Sequence, residues 1–143
     1  MGAIKVVVAD DDDSMRHTLT AFLHSDPRFE VVGHAATGPA LLEVTALIRP
    51  HVVLVDVRMP GGGVEAAQAL AAGPPVVVVA VSAETSVHTV LAMVRSGVRG
   101  YVVKGRIGAS LPDLVARCAY GEVVLATPTG AEVMRQLVSS RVH

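Results

Sequence analysis

The chain has 143 residues and a formal charge of −1, with 51% hydrophobic residues but only 3% aromatic ones. That length carries one domain with a full core plus a tail and excludes two ordinary domains; the core must be built from Val, Ala, Leu and Ile. The balanced charge, without a block of Lys or Arg, excludes an electrostatic footprint for nucleic acid on this chain.

Short valine-rich runs alternate with helical patterns over five rounds, which predicts an α/β fold of βαβ units with a doubly wound five-stranded parallel sheet and helices on both faces. Strand one is predicted at 4–9. A helix from about Ser14 carries Met15, Leu19, Phe22 and Leu23 at helical spacing until Asp26-Pro27 breaks it. Strand two spans 29–33, and Thr37 can cap a second helix that ends before Pro50. Strand three spans 52–55; a third helix at 64–70 follows Gly61-Gly62-Gly63, which reads as a flexible loop because it lacks the Gly-Lys-Ser/Thr ending of a phosphate loop. Strand four spans 76–80, helix four 87–96 with Gly97 as its carboxyl cap, and strand five 101–103. Ser110, followed by Leu111-Pro112-Asp113, predicts the cap of helix five. After Gly121 comes a brief apolar stretch at 122–126. Thr127-Pro128 then opens a last helix with Val133, Met134, Leu137 and Val138 on one stripe, read as an appendage or connector.

Cys118 has no partner for a disulfide and no companion at metal-ligand spacing, which fits a reducing compartment and a small core residue. No apolar stretch approaches the ~18 residues that span a bilayer. The amino terminus lacks the layout of a signal peptide, and Val6 stands where a myristoylation motif needs Ser or Thr. The expectation is a soluble, cytoplasmic protein that meets no membrane.

Four of the apolar runs stop on residues that handle phosphate: Asp10 and Asp11, Asp56, Ser82, and Lys104. Parallel strands would bring these carboxyl ends to one edge, where open α/β sheets build their sites. Asp10 to Asp13 put four like charges within one turn of chain, which a divalent cation would relieve. Asp12 and Asp13 also suit the cap and first turn of the helix that follows. Asp56 ends an apolar run and needs a cation; Lys104 and a metal would keep it an ionised nucleophile toward phosphorus. Ser82 would donate to a phosphoryl oxygen, although alone it would read as a turn hydroxyl, as Lys104 alone would read as a surface lysine.

With these residues placed, the chain resembles the receiver domain of bacterial two-component response regulators. The match spans residues 4–121. It rests on Val8-Ala9-Asp10-Asp11 with Arg16, the stretch from Val53 through Asp56, Arg58, Met59 and Pro60 to Gly61, the strand end Ala80-Val81-Ser82-Ala83, and Gly100-Tyr101-Val102-Val103-Lys104. The resemblance implies the flavodoxin-like strand order 2-1-3-4-5 and Asp56 as phospho-acceptor. It implies Mg²⁺ held by Asp10 and Asp11 together with Asp56 and the carbonyl of Arg58. Ser82 and Lys104 would contact the phosphoryl group, and Tyr101 would turn inward when Ser82 follows it. The donor would be a phosphohistidine on a sensor histidine kinase, and the chain would catalyse nothing beyond its own phosphorylation and dephosphorylation on Asp56. Phe29 to Ala35, Arg49 to Val53 and Gly121 to Leu125 resemble regulators with a LuxR-like (NarL-type) helix-turn-helix output.

That resemblance divides the chain into a receiver at 1–121 and an extension with a linker helix at 122–143. The DNA-binding output domain lies outside this chain, which is read as a receiver fragment or a stand-alone receiver that dimerises or releases an output on phosphorylation. Three departures stand out: Gly105 follows the lysine, the loop at 61–63 is short and lacks an acid, and Ser82 replaces the commoner threonine. One rival is a phosphatase of the haloacid dehalogenase type, in which Asp10, Asp12 and Ser14 form the nucleophilic motif. The other is a receiver that binds partners regardless of phosphorylation. Arg58 and Glu84 are expected to tune the phosphoryl lifetime.

Overall fold

The computed structural model describes residues 2–142, with side chains through 139. Met1 and His143, the outer bounds of the two expected segments, lie outside the described residues, as does the start of the lipidation motif considered above. The elements run β1 (Ile4–Ala9), α1 (Asp13–His24), β2 (Phe29–Ala35), α2 (Gly38–Ile48), β3 (Val52–Asp56), α3 (Gly63–Ala72), β4 (Val77–Ser82), α4 (Val87–Arg95), β5 (Gly100–Val103), a 3₁₀ turn (Lys104–Arg106), α5 (Leu111–Ala119), β6 (Val124–Ala126) and α6 (Gly130–Val142).

All strands pair in parallel, in the order β2-β1-β3-β4-β5-β6. The expected order is there with one strand added at the edge. Three residues are too short for periodicity to reveal, and β6 forms because its backbone completes the open side of β5, with Val124 opposite Gly100.

Side chains alternate along each strand, so the valine runs feed two cores. Val7, Val53, Val78 and Tyr101 belong to one core with residues of α2, α3, α4 and α6; Val6, Val8, Leu54 and Val79 belong to the other with α1 and α5. Cys118 sits in the second core, where burial pushes its thiol up to about 11. It is a packing residue, as expected.

Local chemistry sets the helix ends, with three differences from expectation. Helix α4 is capped by Ser96 rather than Gly97; Gly97 is the next residue, at φ 104°, and the bond from Val98 N–H to the Met93 carbonyl closes the turn. Ser110 occupies the cap position of α5, but its side chain makes no capping bond. On α6, Val133 is fully buried while Met134 and Val138 are exposed, so the predicted stripe is split by the way the helix lies against α4.

The glycine run before α3 is tied down rather than loose. Gly61 and Gly62 have φ of 79° and 91°, a region that glycine enters without steric penalty. Gly62 N–H donates to the Met59 carbonyl and Gly38 N–H to the Pro60 carbonyl. Among the described residues no helix is long and apolar enough to cross a membrane.

Candidate functional site

The polar residues that end β1, β3, β4 and β5 stand along one edge of the sheet. Asp10 and Asp56 are buried, Asp11 is exposed, and one carboxylate oxygen from each lies within 4.8 Å of the other two. Lys104, lifted by the 3₁₀ turn that follows β5, reaches between the buried pair. Its Nζ stands 3.1 Å from Asp10 Oδ2 and 3.2 Å from Asp56 Oδ2. Only the second approach is aligned as a hydrogen bond, so among the described residues Asp10 Oδ2 is a buried oxygen with no hydrogen-bond donor.

The backbone holds the remaining oxygens in place. Asp12 N–H donates to Asp10 Oδ1 at 2.9 Å, and Arg58 N–H to Asp56 Oδ1 at 3.0 Å. Asp10 Oδ2 is without a donor among the described residues, and three acid oxygens lie close together. Ligand oxygens in an octahedral Mg²⁺ shell stand about 3–4 Å apart, so a small inward adjustment lets this set hold a hard divalent cation. The residues fit the group.

Asp12, the second acid of the phosphatase reading, is used otherwise: its carboxylate accepts Ser14 N–H at 2.9 Å and caps α1. Asp13 is exposed and pairs with Arg16. Arg16, part of the sequence match but without a role there, also donates from Nη1 to the Asp10 carbonyl at 2.7 Å and so fixes the backbone that carries the acids.

Ser82 ends β4, fully buried, with its Oγ accepting Glu84 N–H at 3.0 Å. Among the described residues no hydrogen bond joins it to Asp56 or Lys104. Tyr101 was expected to turn inward only on switching; here it is already inward, fully buried, and its hydroxyl donates to the Glu84 carbonyl at 2.9 Å. That bond satisfies a phenol that would otherwise be orphaned in the core. Arg58 and Glu84 pair with each other across the mouth of the site. The pairing was not foreseen, although their matching offsets from Asp56 and Ser82 are visible in the sequence.

Electrostatics follow from burial. Burial pushes the Asp10 carboxyl above its ordinary range and the Asp56 charge adds to the push, while the Asp12 N–H and Lys104 oppose it. Burial would lower the Lys104 ammonium, but Asp10 and Asp56 outweigh that and raise it. Burial also raises Tyr101. A raised folded value means that the charged form of Asp10 is disfavoured by folding. Stability from this position is therefore fully present below the unfolded carboxylate range and is lost as pH rises through the folded value. Asp10→Asn removes the charge and keeps an oxygen for Asp12 N–H, so in metal-free buffer near about pH 7 it should melt a few degrees above wild type. The gap should close on acidification, and a calorimetric pH series reads both.

A family model, the response regulator receiver domain, matches residues 6–117. Response regulator GacA of Pseudomonas aeruginosa is 40% identical over 116 residues, covering 78% of this chain and 52% of its own. Protein-glutamate methylesterase/protein-glutamine glutaminase of Geobacillus kaustophilus is 40% identical over 107 residues, covering 73% of this chain and 31% of its own. DNA-binding transcriptional activator DevR/DosR of Mycobacterium tuberculosis is 31% identical over 136 residues, covering 94% of this chain and 63% of its own. The chain thus spans between 31% and 63% of the length of these relatives. Among solved structures, the signal receiver domain of the putative response regulator NarL from Mycobacterium tuberculosis matches with a TM-score of 0.80 at 31% identity, over 85% of this chain and 100% of that one. Relatives with different outputs share this one unit, and it is the unit whose sheet edge carries the acids and lysine described above: the chain belongs to the response regulator receiver domains of two-component systems.

Proposed function

We propose that the chain is a phosphorylation switch in which Asp56 accepts a phosphoryl group from a phosphohistidine of a sensor histidine kinase. The observation that carries this reading is a carboxylate only 3% exposed, bonded to Lys104 at 3.2 Å, with two further acid oxygens within 4.8 Å. An Asp56 oxygen attacks phosphorus, the phosphorus–nitrogen bond breaks, and the imidazole leaves with the bonding pair. The product is an aspartyl phosphate.

Lys104 faces the phosphoryl oxygens, and Ser82, whose oxygen accepts from Glu84 while its own proton is available, donates to one of them. Asp10, Asp11, Asp56 and the carbonyl of Arg58 would hold Mg²⁺. Bound there, the ion neutralises charge on the transferring group. Tyr101 marks the inward end of the accompanying switch. The chain works on itself alone and on no other substrate.

The output reading is transcriptional. Alignment with DevR/DosR runs over 94% of the chain and so reaches into α6, whereas the methylesterase alignment covers 73%. We infer a receiver at 1–121, a linker at 122–143 containing α6, and a LuxR-like (NarL-type) helix-turn-helix output in the full protein. Such a regulator works in the cytoplasm and contacts DNA through the output domain rather than through this chain. Phosphorylation promotes its dimerisation.

Incubation with acetyl phosphate and Mg²⁺ tests the switch. Wild type should gain one phosphoryl mass and Asp56→Asn none, with chelation of the metal abolishing the gain. Equal labelling of both proteins would discard the assignment. Sustained ester hydrolysis lost in Asp10→Asn but kept in Asp56→Asn would install the phosphatase reading instead.

A further inference from the structure

The loop between β4 and α4, residues 83–86, is fastened from two sides. On the side of the site, Glu84 N–H is held by Ser82 Oγ at 3.0 Å and the Glu84 carbonyl by the Tyr101 hydroxyl at 2.9 Å. On the other side, the hydroxyl of Thr129 donates to the carbonyl of Thr85 at 2.6 Å. Thr129 immediately precedes α6, and its own carbonyl accepts Val133 N–H at 3.1 Å, so one residue both grips the loop and starts the helix. Thr127, buried, places its hydroxyl 3.3 Å from that of Thr129. Farther along α6, Val133 lies in the same core as Tyr101, and Leu137 packs against that core.

Glu84 and Thr85 are consecutive, and the peptide unit between them is planar. That unit carries the carbonyl held by Tyr101, and the carbonyl held by Thr129 belongs to the next unit, joined to it at the Thr85 Cα, so a rotation of the first that shifts this shared atom also shifts the second. Ser86, the next residue, is the cap of α4, so the same rotation disturbs the helix on which α6 rests. The path from Ser82 to α6 is a run of hydrogen bonds joined through the three successive peptide units between Ala83 and Ser86.

We propose that Thr129 is a latch that couples the docking of α6 to the state of the Asp56 site through the β4–α4 loop. The proposal rests on the phospho-acceptor reading of Asp56 and adds how that site is read out. A phosphoryl group that draws the Ser82 proton holds Ser82, Glu84 and Tyr101 in the arrangement described here. That arrangement is the one in which Thr129 reaches the Thr85 carbonyl. Occupancy of Asp56 thus tightens α6, and by linkage a docked α6 favours occupancy.

Amide hydrogen exchange of residues 134–139 in the full chain, with and without beryllofluoride and Mg²⁺ as the phosphoryl mimic, tests the latch. In wild type the mimic should slow exchange in α6 about fivefold, which corresponds to a net ~1 kcal/mol for one hydrogen bond. Thr129→Val keeps the shape and drops the donor. It should exchange faster without the mimic and lose the response in α6, while amides of β1 and β3 still respond. Thr129→Ser keeps the donor and should restore the response, and melting curves of both variants report that each is folded. Equal α6 responses in wild type and Thr129→Val overturn the latch. So does a wild-type α6 that ignores the mimic while β3 responds, which leaves the Asp56 reading standing. No response anywhere removes the Asp56 reading and the latch with it.

Discussion

Lys104→Met is expected to slow phosphoryl transfer onto Asp56 by about 100- to 1,000-fold, the loss typical when a preorganised charge-stabilising donor is removed. Methionine matches the length of the lysine stem, so the change isolates the ammonium. That group is the one cation within ion-pair distance of either buried carboxylate among the described residues, at 3.1 Å from Asp10 and 3.2 Å from Asp56. Without it the phosphoryl oxygens lose their fixed positive partner, and the two acids are left facing each other. Asp10, already raised by burial, is then raised further, because the cation that opposed the rise is gone. Rate measurements with acetyl phosphate at saturating Mg²⁺ check the loss. A variant within threefold of wild type would remove Lys104 from the chemistry. Lys104→Arg should not rescue the rate, because a planar fork cannot replace a point charge between two carboxylates.

Gly63→Ala should destabilise the fold by about 2–3 kcal/mol, which lowers the melting temperature by roughly 4–12 °C in a chain of this size. A Cβ at Gly63 would stand 2.4 Å from the Asp56 carbonyl oxygen and 2.7 Å from both the carbonyl carbon and oxygen of Val57. Those atoms are backbone and cannot swing aside. Relief must come from moving either the start of α3 or the peptide that carries Asp56, so phosphoryl transfer should fall with stability. Gly105→Ala is the matched control: a Cβ there meets nothing within 4 Å, and Gly105 is not among the glycines with positive φ. It should melt with wild type. Equal melting of Gly63→Ala and wild type would show that the close approach of α3 to β3 is not a constraint.

The strand ends were legible because the buried runs of β1, β3, β4 and β5 stop abruptly on polar residues, and parallel pairing forces those stops to one edge. What escaped the sequence depends on partners distant along the chain. Strand β6 exists only because β5 offers an open edge, and its three residues carry no pattern of their own. Tyr101 is inward because the carbonyl of Glu84 meets its hydroxyl, a contact across 17 positions that no local spacing announces. Composition suggested a loose loop at Gly61 to Gly63, whereas positive φ at Gly61 and Gly62, the approach of Gly38 to their carbonyls, and the approach of Gly63 to the Asp56 and Val57 carbonyls give each glycine a task. Met134 and Val138 satisfied helical spacing as well as Val133 and Leu137 did; the direction from which α4 approaches α6 decides which pair is covered.

A phosphoryl group on Asp56 would be an acyl phosphate, which can be trapped chemically. Borohydride reduces an acyl phosphate to an alcohol and leaves free carboxylates intact, so reduction after incubation with acetyl phosphate and Mg²⁺, followed by peptide mass mapping, reads the acceptor directly. Reduction is expected at one position, residue 56. Reduction at Asp10 or Asp11, or a phosphoryl group found on Ser82 or a histidine with Asp56 unmodified, would contradict it.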